Sequence, residues 1–70
     1  MDTNDSRECR VLRLPAVMDA TGLGRDSIYR LARLGKFPKP MKLTESGRAS
    51  GWLESEVSAW VRDRAASRVS

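Results

Sequence analysis

The sequence predicts a mainly helical fold of three helices with a small two-stranded β-hairpin. Three observations lead there. Thr21-Gly22-Leu23-Gly24 interrupts an apolar-patterned run and leaves a short helical segment on either side. Phe37-Pro38-Lys39-Pro40-Met41-Lys42-Leu43 excludes helix through its two prolines, and Gly51-Trp52-Leu53 supplies an apolar strand to pair with it. Beyond Glu54, apolar residues recur at helical spacing as Val57, Trp60 and Val61.

Seventy residues allow one small domain with a thin core. A single cysteine, Cys9, excludes an internal disulfide, and one thiol without histidine excludes the usual structural zinc site. Packing alone must hold the chain together, so the placement of each apolar residue matters.

Residues 1–9 lack apolar periodicity and read as a disordered lead-in; the domain is expected over 10–66, with 67–70 frayed. Val11, Leu12 and Leu14 suit a short extended entry segment. Pro15 suits the first turn of a helix, where its missing N–H would be unpaired anyway, and that helix runs to about Thr21. Gly22 provides the left-handed stop. Leu23 sits in the turn and is placed to fill the angle between the helices. Gly24 serves as N-cap, and Asp26 in the first turn complements the helix dipole.

The second helix is expected from Arg25 to Leu34, stopping at Gly35. At 100° per residue, Ile28, Leu31, Ala32 and Gly35 gather on one side and Asp26, Arg30 and Arg33 on the other, with Tyr29 on the shoulder beside Arg33. Asp26 and Arg30 have the i, i+4 spacing of a helical ion pair. In the proline-bearing segment, Met41 and Leu43 point one way and Lys42 the other. The polar stretch Thr44 to Ser50 turns the chain back into Gly51-Trp52-Leu53, which completes a wing. The last helix, about Glu54 to Ala66, carries acidic residues at its start and Arg62 and Arg64 near its end, matching the dipole at both ends. Trp52 and Trp60 are expected in the core as its largest apolar members.

Charge points to a partner. Thirteen Lys and Arg against nine Asp and Glu give a net charge of +4 and a pI near 10, a balance that favours polyanions. The excess is local. Arg25, Arg30, Arg33, Lys36, Lys39, Lys42 and Arg48 face only Asp26 and Glu45 in the same stretch. No apolar run approaches the roughly 20 residues that span a bilayer, and the polar, acidic start is unlike a signal peptide. A cytoplasmic protein without a membrane partner is expected. The chain has no histidine, no nucleophile–base pair and no P-loop, so an enzyme is not expected, nor any cofactor or metal.

Two helices around a glycine-broken turn, the second with a basic outer face, have the layout of a helix-turn-helix whose second helix enters a DNA groove. Base-edge contacts specify and phosphate contacts position. Asp26, Ser27 and Arg30, near the helix start, are the candidates for readout; arginine grips guanine bidentately and aspartate accepts from cytosine. Arg25 belongs to the same surface. Tyr29, Arg33 and Lys36 suit the DNA backbone. Lys39, Lys42 and Arg48 lie on the wing, with Arg48 near its tip for an adjacent phosphate line or minor groove.

Arg13-Leu14-Pro15, Thr21-Gly22-Leu23, Ser27-Ile28-Tyr29-Arg30, Gly35-Lys36-Phe37-Pro38 and Lys42-Leu43 continue into Gly51-Trp52, followed by Ser55-Glu56-Val57 and Trp60. In order and spacing these fragments resemble the AlpA family, small phage and prophage transcriptional regulators similar in fold to excisionases and to the DNA-binding domain of MerR-type regulators. The resemblance covers about residues 12 to 62. It implies a winged helix-turn-helix that binds DNA near phage or island attachment and promoter sites, where members activate integrase expression or assist excision. The chain departs from the family at Gly24, where a serine or threonine cap is usual, and in the loop Thr44 to Ala49, which is longer than the family's tight glycine turn.

The expected function is therefore sequence-specific regulation of transcription in a phage, prophage or integrated island, with helix 25–34 in the major groove and the 37–53 wing on the adjacent backbone or minor groove. The alternatives are an excisionase-type factor that bends DNA for recombination, and an adaptor whose basic face meets an acidic protein. Double-stranded DNA is the main partner expected. A module this small reads a short site, so further copies on adjacent sites are expected too, along with an integrase or RNA polymerase.

Overall fold

The computed structural model describes residues 10–68, in the order β1 (Val11–Leu12), α1 (Leu14–Thr21), α2 (Arg25–Arg33), β2 (Met41–Lys42), β3 (Ser50–Leu53) and α3 (Glu54–Ser67). The lead-in expected over 1–9, Cys9 with it, and the last two residues of the frayed end lie outside the described residues.

The expected punctuation is present. Arg13 is extended and Pro15 lies in the first turn of α1. Gly22 ends α1 in the left-handed region at φ 75°, donating its N–H to the Met18 carbonyl. Thr21 fixes the turn from both sides: its hydroxyl donates to the Val17 carbonyl at 2.8 Å and its oxygen accepts the Leu23 N–H at 3.2 Å. α2 begins after extended Gly24 and ends one residue before the expected Leu34, which instead caps it. Gly35 follows at φ 76°. The Lys36 N–H reaches back to the Leu31 carbonyl and the Gly35 N–H to that of Ala32, the paired bonds of a Schellman ending.

Burial follows the predicted stripe with one correction. Ile28 and Ala32 are buried and Leu31 is half-buried, but Gly35 is exposed, because the left-handed turn carries it off the helix face.

The β-hairpin is present, and the sheet is larger than the two strands expected. It has three, in the order β1-β3-β2, both pairings antiparallel. Val11 faces Leu53 and Leu12 faces Trp52; Met41 faces Gly51 and Lys42 faces Ser50. β3 is thus the central strand, and β2, which begins directly after Pro40, lies at an edge. Gly51 is required by this crowding. A Cβ there would lie 2.6 Å from Val11 Cγ1 and 2.9 Å from the Leu12 carbonyl oxygen.

Val17, Ile28, Phe37, Trp52 and Val57 form the core, one from each of α1, α2, the α2–β2 connection, β3 and α3. Leu12, Leu14, Met18, Leu23, Tyr29, Leu31 and Trp60 pack around it, partly buried. Trp52 is fully buried while Trp60 keeps one side in solvent, so the two tryptophans expected in the core differ in depth.

Candidate nucleic-acid interface

α2 presents two chemistries. Its inner face anchors through Ile28 and Ala32, which leaves Arg25, Asp26, Arg30 and Arg33 exposed on the outside. Ser27 and Tyr29 lie between, half-buried. The Tyr29 ring packs on Trp52, centroids 5.9 Å apart and tilted by 50°. The body of this side chain is therefore a packing element.

The ion pair expected between Asp26 and Arg30 is not formed; among the described residues Arg10 pairs with Glu54 instead, at 3.9 Å. Two exposed charges on a helix surface gain too little from pairing to offset holding both side chains still. Arg30 is consequently open to an outside acceptor.

Lys36 and Lys39 stand exposed on the connection from α2 to β2. Tyr29, Ala32 and Arg33 of α2 meet Lys39 and Pro40 across an open groove of about 400 Å³. Arg33 of α2 and Lys39 of the connection thus line one cleft together with the apolar Ala32 and Pro40. Arg25, Asp26 and Ser27 lie at the other end of α2, in its first turns, away from this groove.

Lys42 and Arg48 belong to the hairpin. The Lys42 alkyl chain runs beside Gly47, whose Cβ position would lie 3.7 Å from Cδ and Cε. Gly47, at φ 76°, closes the turn with an N–H bond to the Thr44 carbonyl, and the Arg48 N–H donates to Ser46 Oγ at 3.3 Å. The Leu43 N–H to Ala49 carbonyl bond extends the β2–β3 ladder, so the loop proper is Thr44 to Arg48. Arg48 is therefore seated at the base of a structured turn with its side chain exposed.

Two further contacts bear on this surface and were not read from the sequence. The Trp52 indole N–H donates to the Pro38 carbonyl at 2.8 Å, and the Trp60 indole N–H to the Lys36 carbonyl at 2.7 Å. Between those carbonyls Phe37 is buried, edge-on to Trp60 with centroids 4.9 Å apart. The signal available was that a packed indole needs an acceptor; its identity was hidden by separations of 14 and 24 residues.

Among the described residues no cluster of His, Cys, Asp or Glu is arranged to hold a metal ion, and no helix is long and apolar enough to cross a membrane.

The family model for the prophage CP4-57 regulatory protein (AlpA) matches residues 10–65. The chain belongs to the AlpA family. The AlpA match takes in all three strands and all but the end of α3, so the family's pattern is the domain itself. Among relatives, the DNA-binding transcriptional activator AlpA of Escherichia coli (strain K12) is 35% identical over 66 residues, which cover 87% of this chain and 93% of that protein. The uncharacterized protein ORF88 of Enterobacteria phage P4 is 44% identical over 68 residues, covering 97% of this chain and 75% of its own. No solved structure matches the chain significantly.

Proposed function

We propose that this AlpA-family chain is a DNA-binding transcriptional regulator of phage origin that reads double-stranded DNA with α2. In this reading residues 25–34 enter the major groove and the 37–53 wing lies on the adjacent backbone or minor groove. Asp26, Ser27 and Arg30 read base edges. Arg25, Tyr29, Arg33, Lys36 and Lys39 hold the backbone, and Lys42 and Arg48 extend the contact from the hairpin.

The observation that carries this reading is the groove between α2 and the proline-bearing connection. Tyr29, Ala32, Arg33, Lys39 and Pro40 line it. That arrangement suits a phosphodiester: two cations for the phosphate oxygens, a phenol to donate a hydrogen bond, and apolar atoms against the sugar. The name of the E. coli relative, 35% identical across nearly its whole length, supports the same function.

Selection of bound sites from random duplexes tests the proposal. A defined motif is expected, with affinity that falls steeply as salt rises, at a log–log slope of about −0.9 per phosphate contacted. Failure to retain any duplex at low salt sinks it, and retention of an acidic protein in its place favours an adaptor.

A further inference from the structure

The segment from Lys36 to Pro40 carries two of the cations assigned above to the DNA backbone, yet little of its own backbone holds it. Pro38 and Pro40 have no N–H to give, and ladder pairing begins only at Met41. The Lys36 N–H closes the end of α2 on Leu31. What reaches this segment from the rest of the fold is a pair of indoles: Trp52 of β3 on the Pro38 carbonyl and Trp60 of α3 on the Lys36 carbonyl. They grip alternate carbonyls, and the buried Phe37 ring between them points into the core against Trp60.

We infer that the two indole N–H groups are positioning groups for DNA binding, fixing the connection so that Lys36 and Lys39 stand at a set distance from Arg33 and Tyr29. Trp52 acts from both sides, because its ring also supports Tyr29. Neither tryptophan touches DNA in this scheme. Trp60 is the more informative of the two, since it is only partly buried and its acceptor lies toward solvent. Water can replace its hydrogen bond there, which loosens the segment without leaving a buried group unsatisfied.

This inference rests on the DNA-binding reading, and the test separates the two. Binding to the selected duplex is measured across a salt series for the wild-type chain, for Trp60→Phe, and for a synthetic chain with Trp60→3-benzothienylalanine, which keeps the bicyclic ring and replaces the N–H with sulfur. All measurements are made well below each chain's melting temperature. The expected result is a fold retained by circular dichroism, an affinity roughly 2- to 10-fold weaker, as loss of one ordinary hydrogen bond from the binding-competent geometry gives, and a shallower salt slope. Lys36→Ala and Lys39→Ala then weaken binding less in the Trp60 variants than in the wild-type chain, because the lysines no longer stand where the phosphates are. A lower melting temperature with unchanged affinity and salt slope makes the indole a packing residue only and overturns the inference, leaving DNA binding intact. If Trp60→Phe fails to fold, the benzothienyl chain decides by the same criteria. Absence of duplex binding by the wild-type chain overturns both readings.

Discussion

At the residue scale, glycines with different reasons behave differently. Gly51 is held by space: Gly51→Ala places a methyl within 3 Å of a Val11 side-chain carbon and a Leu12 backbone oxygen. Because strands β1 and β3 must part to admit it, a loss of about 1–3 kcal/mol is expected, read as a lower urea midpoint. Gly24 is held by nothing. It is extended at φ −80°, and a Cβ there meets no atom within 4 Å. Gly24→Ser therefore gives α2 an N-cap oxygen and removes freedom from the unfolded chain, a gain of roughly 0.3–1 kcal/mol. Thermal unfolding checks it; a lower melting temperature contradicts the open geometry. Gly22 and Gly35 were legible in advance, since a left-handed stop after a periodic segment has few other solutions. Gly51 was not, because its crowding comes from Val11, far away in the chain.

At the element scale, the proposed function gives α2 and the connection that follows it different parts in DNA binding. Arg30, exposed on α2 and without an ion-pair partner in its own helix, is the residue that the proposed function assigns to a base. Arg30→Ala is expected to cost about 1–3 kcal/mol on the preferred duplex and to relax its sequence preference. Lys39, which lines the groove, is assigned to phosphate in the same reading. Lys39→Ala is expected to weaken all duplexes alike and to reduce the salt slope by about 1. Competition between matched and mismatched duplexes separates the two; equal weakening by both variants would make Arg30 a backbone contact. The helices were readable because their apolar residues repeat and their ends carry Pro15, Gly22 and Gly35. The extended entry at Val11 and Leu12 was readable too, but not its pairing as β1, since its partner lies beyond both helices and the hairpin turn. The surface cations were readable as a local charge excess, whereas the groove that unites Tyr29, Arg33 and Lys39 needed the indole bonds to position it.

At the scale of the whole molecule, one side chain touches most of what matters. Trp52 is fully buried, faces Leu12 across the sheet, carries Tyr29 on its ring and bonds Pro38. Trp-to-Ala changes in cores cost about 3–5 kcal/mol, and a chain of this size has roughly 4–10 kcal/mol in all. Trp52→Ala should therefore leave a substantial unfolded population at 37 °C, seen as lost helical ellipticity; a chain that keeps its melting temperature would show the core centred elsewhere. The sequence marks Trp52 as a core residue by size alone, but the junction it makes between sheet, α2 and connection exists only in three dimensions.

The central position of β3 also orders events during synthesis. The helix-turn-helix leaves the ribosome first, as two helices too short to persist alone, while Trp52 and Val57, which they pack against, are still to be made. Pairing of Val11 with Leu53 must then close a loop holding both helices and the hairpin, a non-local step that slows folding relative to a simple helical bundle. A nascent chain halted before Trp52 would contain both helices of the helix-turn-helix without the residue that packs beneath Tyr29. On the proposed reading, DNA recognition matures late, once translation has supplied both Trp52 of β3 and the Val57 and Trp60 side chains of α3.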